Sequence, residues 1–432
     1  MNRIEQTDLR VALTTYSRLA AGCLIAVVIG SPAFAADWPQ FRGPDRTGVS
    51  RETGLLKSWP AGGPKLLWKA TGLGEGHAAP SVAKGKIFGM GLRGDEEVVW
   101  AVDVRTGTEV WHTKIAAGTR LDANQGGYGP RSTPTVDGDQ LYTIGVSGNL
   151  VCLDISNGKL RWTKSLVSDF GGHVPAWGYS ESPLIDGQKV IATPGGDEST
   201  IIALNKTNGE TLWKSKIIGG NRVAYSSGIL ADMDGQKEYI QFLAGGVVGV
   251  SAKDGKFLWR YDAPANRQGI NCSAPIYRDH LVLAASAYGN GGGVARLTSS
   301  GGEIKAEEVY FTKQMQNHHG GMVLVGDYFY GFDNNSLTCI EFKTGKVMWA
   351  DRSVGKGSVS CVDGMIYARS ERGPVALVEA NPTSYVEKGR FDQPDRSAAP
   401  SWPYPVIANG RLYLRDQDVM LCYEVSQAAA SR

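Results

Sequence analysis

Apolar and polar positions along this chain recur as one unit. A short apolar run leads into a polar turn ending in glycine, and a second run closes on tryptophan four residues later. The unit stands at AVDVRTGTEVW (101–111), CLDISNGKLRW (152–162), ALNKTNGETLW (203–213), GVSAKDGKFLW (249–259) and CIEFKTGKVMW (339–349). The runs are too short for helices and are bounded by Asp-Gly, Asn-Gly and Thr-Gly pairs, so they predict strands and hairpins. The recurrent tryptophans are Trp68, Trp111, Trp162, Trp213, Trp259 and Trp349; neighbours lie 43 to 51 residues apart, and the last gap is about twice that. A 40–50-residue period filled with short strands is the signature of a propeller blade.

The second repeat parses as Ser132–Val136, Gln140–Ile144, Leu150–Asp154 and Lys159–Lys164, a four-stranded antiparallel meander. Its turns, Asp137-Gly138 and Asn157-Gly158, predict two-residue hairpins in which both central residues take positive φ. Eight such units begin near His77, Arg131, Tyr179, Ala224, Asn271, His318, Gly357 and Trp402. The fifth and seventh lack the tryptophan. The eighth ends after three strands, at Leu421-Cys422-Tyr423, and the missing strand stands at the start of the chain as Pro64-Lys65-Leu66-Leu67-Trp68. Closure of the last blade by that strand removes the open sheet edges. The fold expected is therefore all-β, an eight-bladed propeller over 64–425 after an extension at 36–63, with a short tail at 426–432. Each tryptophan is expected to pack flat between blades, burying roughly 150–250 Å², rather than to hold a ligand.

Composition narrows the function classes. Of 432 residues 42% are hydrophobic and 56 are glycine, which suits a core divided among blades and many turns. A formal charge of +2 with no basic stripe excludes a nucleic-acid surface. Leu19–Gly30 is apolar but too short to span a bilayer. With Arg10 and Arg18 before it and Ala33 and Ala35 after it, residues 1–35 read as an export signal, placing the protein in the periplasm or outside the cell. Five cysteines follow. Cys152, Cys339 and Cys422 share one third-strand position in different blades and so read as small buried residues. No zinc or haem spacing, serine elbow or phosphate loop is present.

In a meander blade the tight turns occupy one rim, and here they are bland. The segments leading into the blades converge on the axis from the other rim, so that funnel is the expected ligand site for a small molecule or a protein. Arg131 is placed to clamp an anion or to tie neighbouring loops. Glu181 and Asn271 come from different blades, and an acid with an amide is a hard-cation ligand set, so calcium is the metal expected there. His318 and His319 would face opposite ways on a strand, leaving one of them in the funnel as a polar contact or proton carrier. Lys356 offers a charge for a carboxylate or for solvent, and Trp402 a stacking wall or an interblade wedge.

The Ala/Cys-x-Asp-x-x-Thr/Asn-Gly-x-x-x-Trp unit resembles the pyrroloquinoline-quinone (PQQ)-type propeller repeat across essentially all of 64–425. The opening DWPQFRGPDRTG (37–48) is similar to an exported bacterial branch that includes polyvinyl-alcohol-dehydrogenase-like proteins. The resemblance implies one of two classes. One is a non-enzymatic scaffold like the propeller of outer-membrane protein assembly. The other is a PQQ- and calcium-dependent alcohol dehydrogenase, with Glu181 and Asn271 on calcium, His318 or His319 as base, and Arg131, Lys356 and Trp402 around the cofactor. The scaffold, with its ligand in the axial funnel, is the first reading. The adjacent cysteine pair found in many such dehydrogenases is absent.

Overall fold

The computed structural model describes residues 36–121, 128–217, 219 and 222–427. The export signal read at 1–35 lies outside the described residues. No helix among the described residues is long and apolar enough to cross a membrane.

Eight sheets form the described chain, and within the repeats each runs as a meander in chain order. Blades 1 to 8 occupy 81–117, 135–165, 184–215, 229–261, 276–312, 322–351, 357–392 and 406–424. The last is completed by β2 (Leu66–Ala70), which pairs antiparallel with Val419–Glu424 through Trp68↔Cys422 and Ala70↔Met420. Buried side chains gather into eight clusters, each shared by two neighbouring blades. An open array of eight blades has seven interfaces, so an eighth cluster, joining blades 8 and 1 through Tyr413, Met420, Trp100 and Val102, means a closed ring.

The tryptophans fit the gaps as the repeat predicts. Trp111 lies against Gly158 of the next blade, where an added Cβ would stand 2.5 Å from the indole, and its Nε1 donates to Ile155 O at 3.1 Å. Trp68 and Trp162 likewise donate to Val104 O and Lys206 O, each three residues before the turn glycine of the next blade. In blade 5 Tyr310 takes the missing tryptophan's place: it packs on Gly345, and its hydroxyl donates to Phe342 O at 3.0 Å. Trp259 departs from the rule. Its Nε1 turns back to Glu238 Oε2 at 2.6 Å within its own blade.

One of the two turns is a two-residue hairpin as expected, with Asp137 paired to Gln140 across Gly138-Asp139, and the turn at Asn157-Gly158 is wider. Gly158 has φ +73° and Gly138 +62°, whereas Asn157 and Asp137 are not in the positive region. The wider loop is closed by Gly158 N to Asp154 O at 2.8 Å, and a register shift between Leu160 and Trp162 follows it. Gly158→Ala joins a strained backbone to a clash with Trp111, so a loss of about 2–3 kcal/mol is expected, read as a lower urea midpoint.

The extension at 36–63 takes part in the ring. Trp38 bridges to Val82 of blade 1, and Val136 N of blade 2 donates to Pro39 O at 2.8 Å. The Arg46 guanidinium reaches Ser182 O and Pro183 O at blade 3 and Gly228 O at blade 4. Arg42 bonds Met322 O of blade 6 and stacks on Tyr404 beside blade 8. β1 (Val49–Ser50) adds a parallel fifth strand to blade 7. A stretch this short that touches blades on opposite sides of the ring must cross its centre. It therefore plugs the axial channel, and Phe41 from this plug lines the cavity above it.

Candidate functional site

The cavity on the axis measures about 430 Å³. All eight lead-in segments contribute to its wall: His77, Arg131, Ser180, Tyr225, Cys272, His318 with His319, Lys356 and Trp402, in blade order. Loops between second and third strands add Tyr288 from blade 5 and Glu371 and Arg372 from blade 7. Phe41 and Tyr404 also belong to the lining.

Five of the residues expected from sequence meet here: Arg131, His318, His319, Lys356 and Trp402. Both histidines face the cavity, which differs from the strand argument. Residues 314–320 form no strand, so alternation does not apply, and the two rings lie 4.9 Å apart.

Glu181 and Asn271 are absent from the lining, and each is fully committed elsewhere. Glu181 accepts from Thr193 N at 2.7 Å, Thr193 Oγ1 at 2.9 Å and Gln241 Nε2 at 3.0 Å. Asn271 donates to Leu243 O and Ala244 O, while its Oδ1 accepts from Asn266. Ser180 and Cys272 face the cavity, and their neighbours Glu181 and Asn271 turn into the wall. A serine belt holds that register: Thr133 N donates to Ser182 Oγ, Ser182 N to Ser227 Oγ, and Ser273 Oγ to Asn317 Oδ1.

Electrostatically, the lining sets three cations, Arg131, Lys356 and Arg372, against one carboxylate, Glu371. Glu371 Oε1 is a hub. It accepts from His319 Nε2, from Lys356 Nζ at 3.2 Å and from Trp402 Nε1 at 3.1 Å. Burial works to raise its pKa, but the donors from His319 and Lys356 outweigh it and hold the carboxyl at about 2. Burial drives His318 down to about 3, helped by His319 and Lys356, and burial also lowers His319. At neutral pH the centre is thus an ionised carboxylate beside two neutral imidazoles. Tyr288 OH meets His318 Nε2 at 2.7 Å.

Trp402 is the main flat surface. His77 lies 4.4 Å from it and His319 5.3 Å between ring centroids, and the Arg131 guanidinium sits 5.4 Å above the ring. Arg131 Nη1 is buried with no hydrogen-bond partner among the described residues, and burial lowers its pKa to about 10. A buried, unsatisfied donor beside a cavity is a ready anion contact. The residues missed from sequence are Glu371, Tyr288, Tyr225, Cys272 and His77. All stand in the lead-in and partner loops that the repeat marks. All five described cysteines are free, and Cys272 faces the cavity, where burial pushes its thiol up to about 12.

Among known proteins, a model of the family described as outer membrane protein assembly factor BamB matches residues 94–351. BamB of Salmonella typhimurium is 27% identical over 141 residues, 32% of this chain and 31% of that protein, so the chain matches under a third of this relative's length. Two solved structures have the same fold. The crystal structure of BamB from Moraxella catarrhalis aligns with TM-score 0.57 at 15% identity, covering 83% of this chain and 97% of that one. Quinohemoprotein alcohol dehydrogenase from Comamonas testosteroni aligns with TM-score 0.60 at 13% identity, covering 90% and 80%. At these identities the two structures speak to fold alone.

Proposed function

This chain belongs to the PQQ-like propeller family, and from that membership we propose that it is an exported binding scaffold whose axial cup receives a small anion with a flat apolar face. The observation that carries the reading is the cup itself. Eight lead-in segments converge on one cavity with three cations, one carboxylate and a buried, unsatisfied Arg131 donor above Trp402. A planar carboxylate on Trp402 would satisfy Arg131 and draw on Lys356 and Arg372. The relatives named for outer membrane protein assembly support a place outside the cytoplasm and a protein partner.

The second reading is the PQQ- and calcium-dependent alcohol dehydrogenase, favoured by the likeness of fold to the Comamonas enzyme. The cationic and aromatic lining suits a planar polycarboxylate such as this quinone. The expected calcium ligands do not fit, because the Glu181 oxygens and Asn271 Oδ1 are engaged within the wall.

Calorimetry with benzoate, benzene-1,3,5-tricarboxylate and PQQ, with and without calcium, tests both readings. The scaffold reading expects saturable binding that strengthens with carboxylate count and weakens by about tenfold in Arg131→Met. It fails if no carboxylate binds, or if PQQ with calcium supports dye reduction by alcohols.

A further inference from the structure

We propose that His318, His319 and Glu371 form a binding site for a divalent first-row transition metal, a role that goes beyond the anion cup and does not depend on it. One ligand atom from each of the three side chains lies within 4.8 Å of the other two. The triad is assembled across a blade boundary. The two histidines come from the lead-in of blade 6, and Glu371 comes from the loop after Met365–Ser370 in blade 7. An irregular backbone at 314–320 is what lets adjacent histidines converge, as they could not on a strand.

Two imidazoles and a carboxylate are the donor set of zinc, cobalt, iron or copper. Calcium prefers an all-oxygen shell. His319 Nε2 meets Glu371 Oε1, and His319 Nδ1 is buried with no hydrogen-bond partner among the described residues, so this ring keeps nitrogen capacity that no hydrogen bond uses. The Tyr288 hydroxyl holds His318 in place at 2.7 Å, the kind of outer contact that orients a ligating ring. Three protein ligands leave at least one coordination position open to the cavity, where Arg131 and Arg372 favour an anionic fourth ligand.

Lys356 sets the strength of the site. Its ammonium lies 3.2 Å from Glu371 Oε1, so it competes with a metal for that oxygen. Removing it should tighten the site, an outcome a merely structural hydrogen-bond network would not produce.

The test is titration of the chelator-treated full chain with Co2+, followed by visible absorption, and then with Zn2+ in competition. The expected result is one saturable site per chain with cobalt ligand-field bands. His318→Ala and Glu371→Gln should each weaken it by at least about tenfold, and Lys356→Met should strengthen it. The proposal is overturned if neither the wild type nor Lys356→Met shows a stoichiometric site. It is also overturned if folded Glu371→Gln and His318→Ala bind as the wild type does, or if Ca2+ competes as well as Zn2+. Because the metal alone is the probe, failure of carboxylate binding leaves this result separately readable.

Discussion

Arg46→Met is expected to lower stability by about 3–5 kcal/mol, a large loss for a single side chain outside the repeats. The guanidinium is buried and donates to Ser182 O at 2.8 Å, Gly228 O at 2.9 Å, Pro183 O at 3.1 Å and Gln40 Oε1 at 3.1 Å. Methionine fills much of the same length but satisfies none of those oxygens. Three of them belong to blades 3 and 4, so the variant also frees the plug from those two blades. Its charge further interacts with buried Glu181. The two substitutions Arg46→Met and Glu181→Gln should therefore be non-additive. Arg51→Met is the control, because Arg51 is exposed and pairs with exposed Asp45; a change below about 0.5 kcal/mol is expected there. Urea unfolding of both variants, with limited proteolysis at 36–56, measures the difference. Equal midpoints would mean that the plug does not stabilise the ring.

Stability should also depend on pH in an unusual direction, with the chain about 2–3 kcal/mol more stable at pH 6 than at pH 8. Burial raises three carboxyls, Glu97, Glu181 and Glu238, to about 7, against hydrogen bonds from Val146, Thr193 and Trp259 respectively. Carboxyls in the unfolded chain release their protons near 4.5, whereas these keep them. Their contribution is therefore fully present below about pH 4.5 and is lost as pH rises through about 7. His318 and His319 act in the opposite sense. Burial keeps them neutral, so the unfolded chain takes up protons below about 6.5 and stability falls as pH drops, for His318 down to about 3. Three groups outweigh two at pH 6, and the net gain levels off toward pH 5. Glu371, held at about 2, contributes above about 4.5 and is lost only in stronger acid. Melting temperatures from pH 5 to 8 give the profile, and Glu238→Gln should flatten its alkaline limb. A chain that melts no lower at pH 8 than at pH 6 would contradict the burial of these three acids.

Much of the fold can be read from local sequence because each blade is built by residues close together in the chain. The Gly-to-Trp spacing works through a contact between adjacent repeats, such as Trp111 on Gly158, and so recurs visibly. Even the degenerate fifth blade keeps the rule in disguise, with Tyr310 on Gly345. The plug was not legible. Arg42 and Arg46 satisfy carbonyls that belong to blades 6, 3 and 4, and nothing in the sequence around 37–48 indicates those partners.

The candidate site divides along the same line. The repeat directs the search to the lead-in segments, and Arg131, Lys356, Trp402 and the two histidines do meet there. It cannot say which of two neighbours turns inward, because a one-residue choice of register decides between Glu181 and Ser180, or between Asn271 and Cys272. Nor does it pair His319 with Glu371, 52 residues away in the next blade. The sequence by itself thus determined the number of blades, the closure through Trp68 and the rim on which the lead-in segments converge, since all three follow from a local period. Only the tertiary structure decided the plug, the inward face of each lead-in and the His318–His319–Glu371 cluster, since these depend on contacts between segments that no local pattern links.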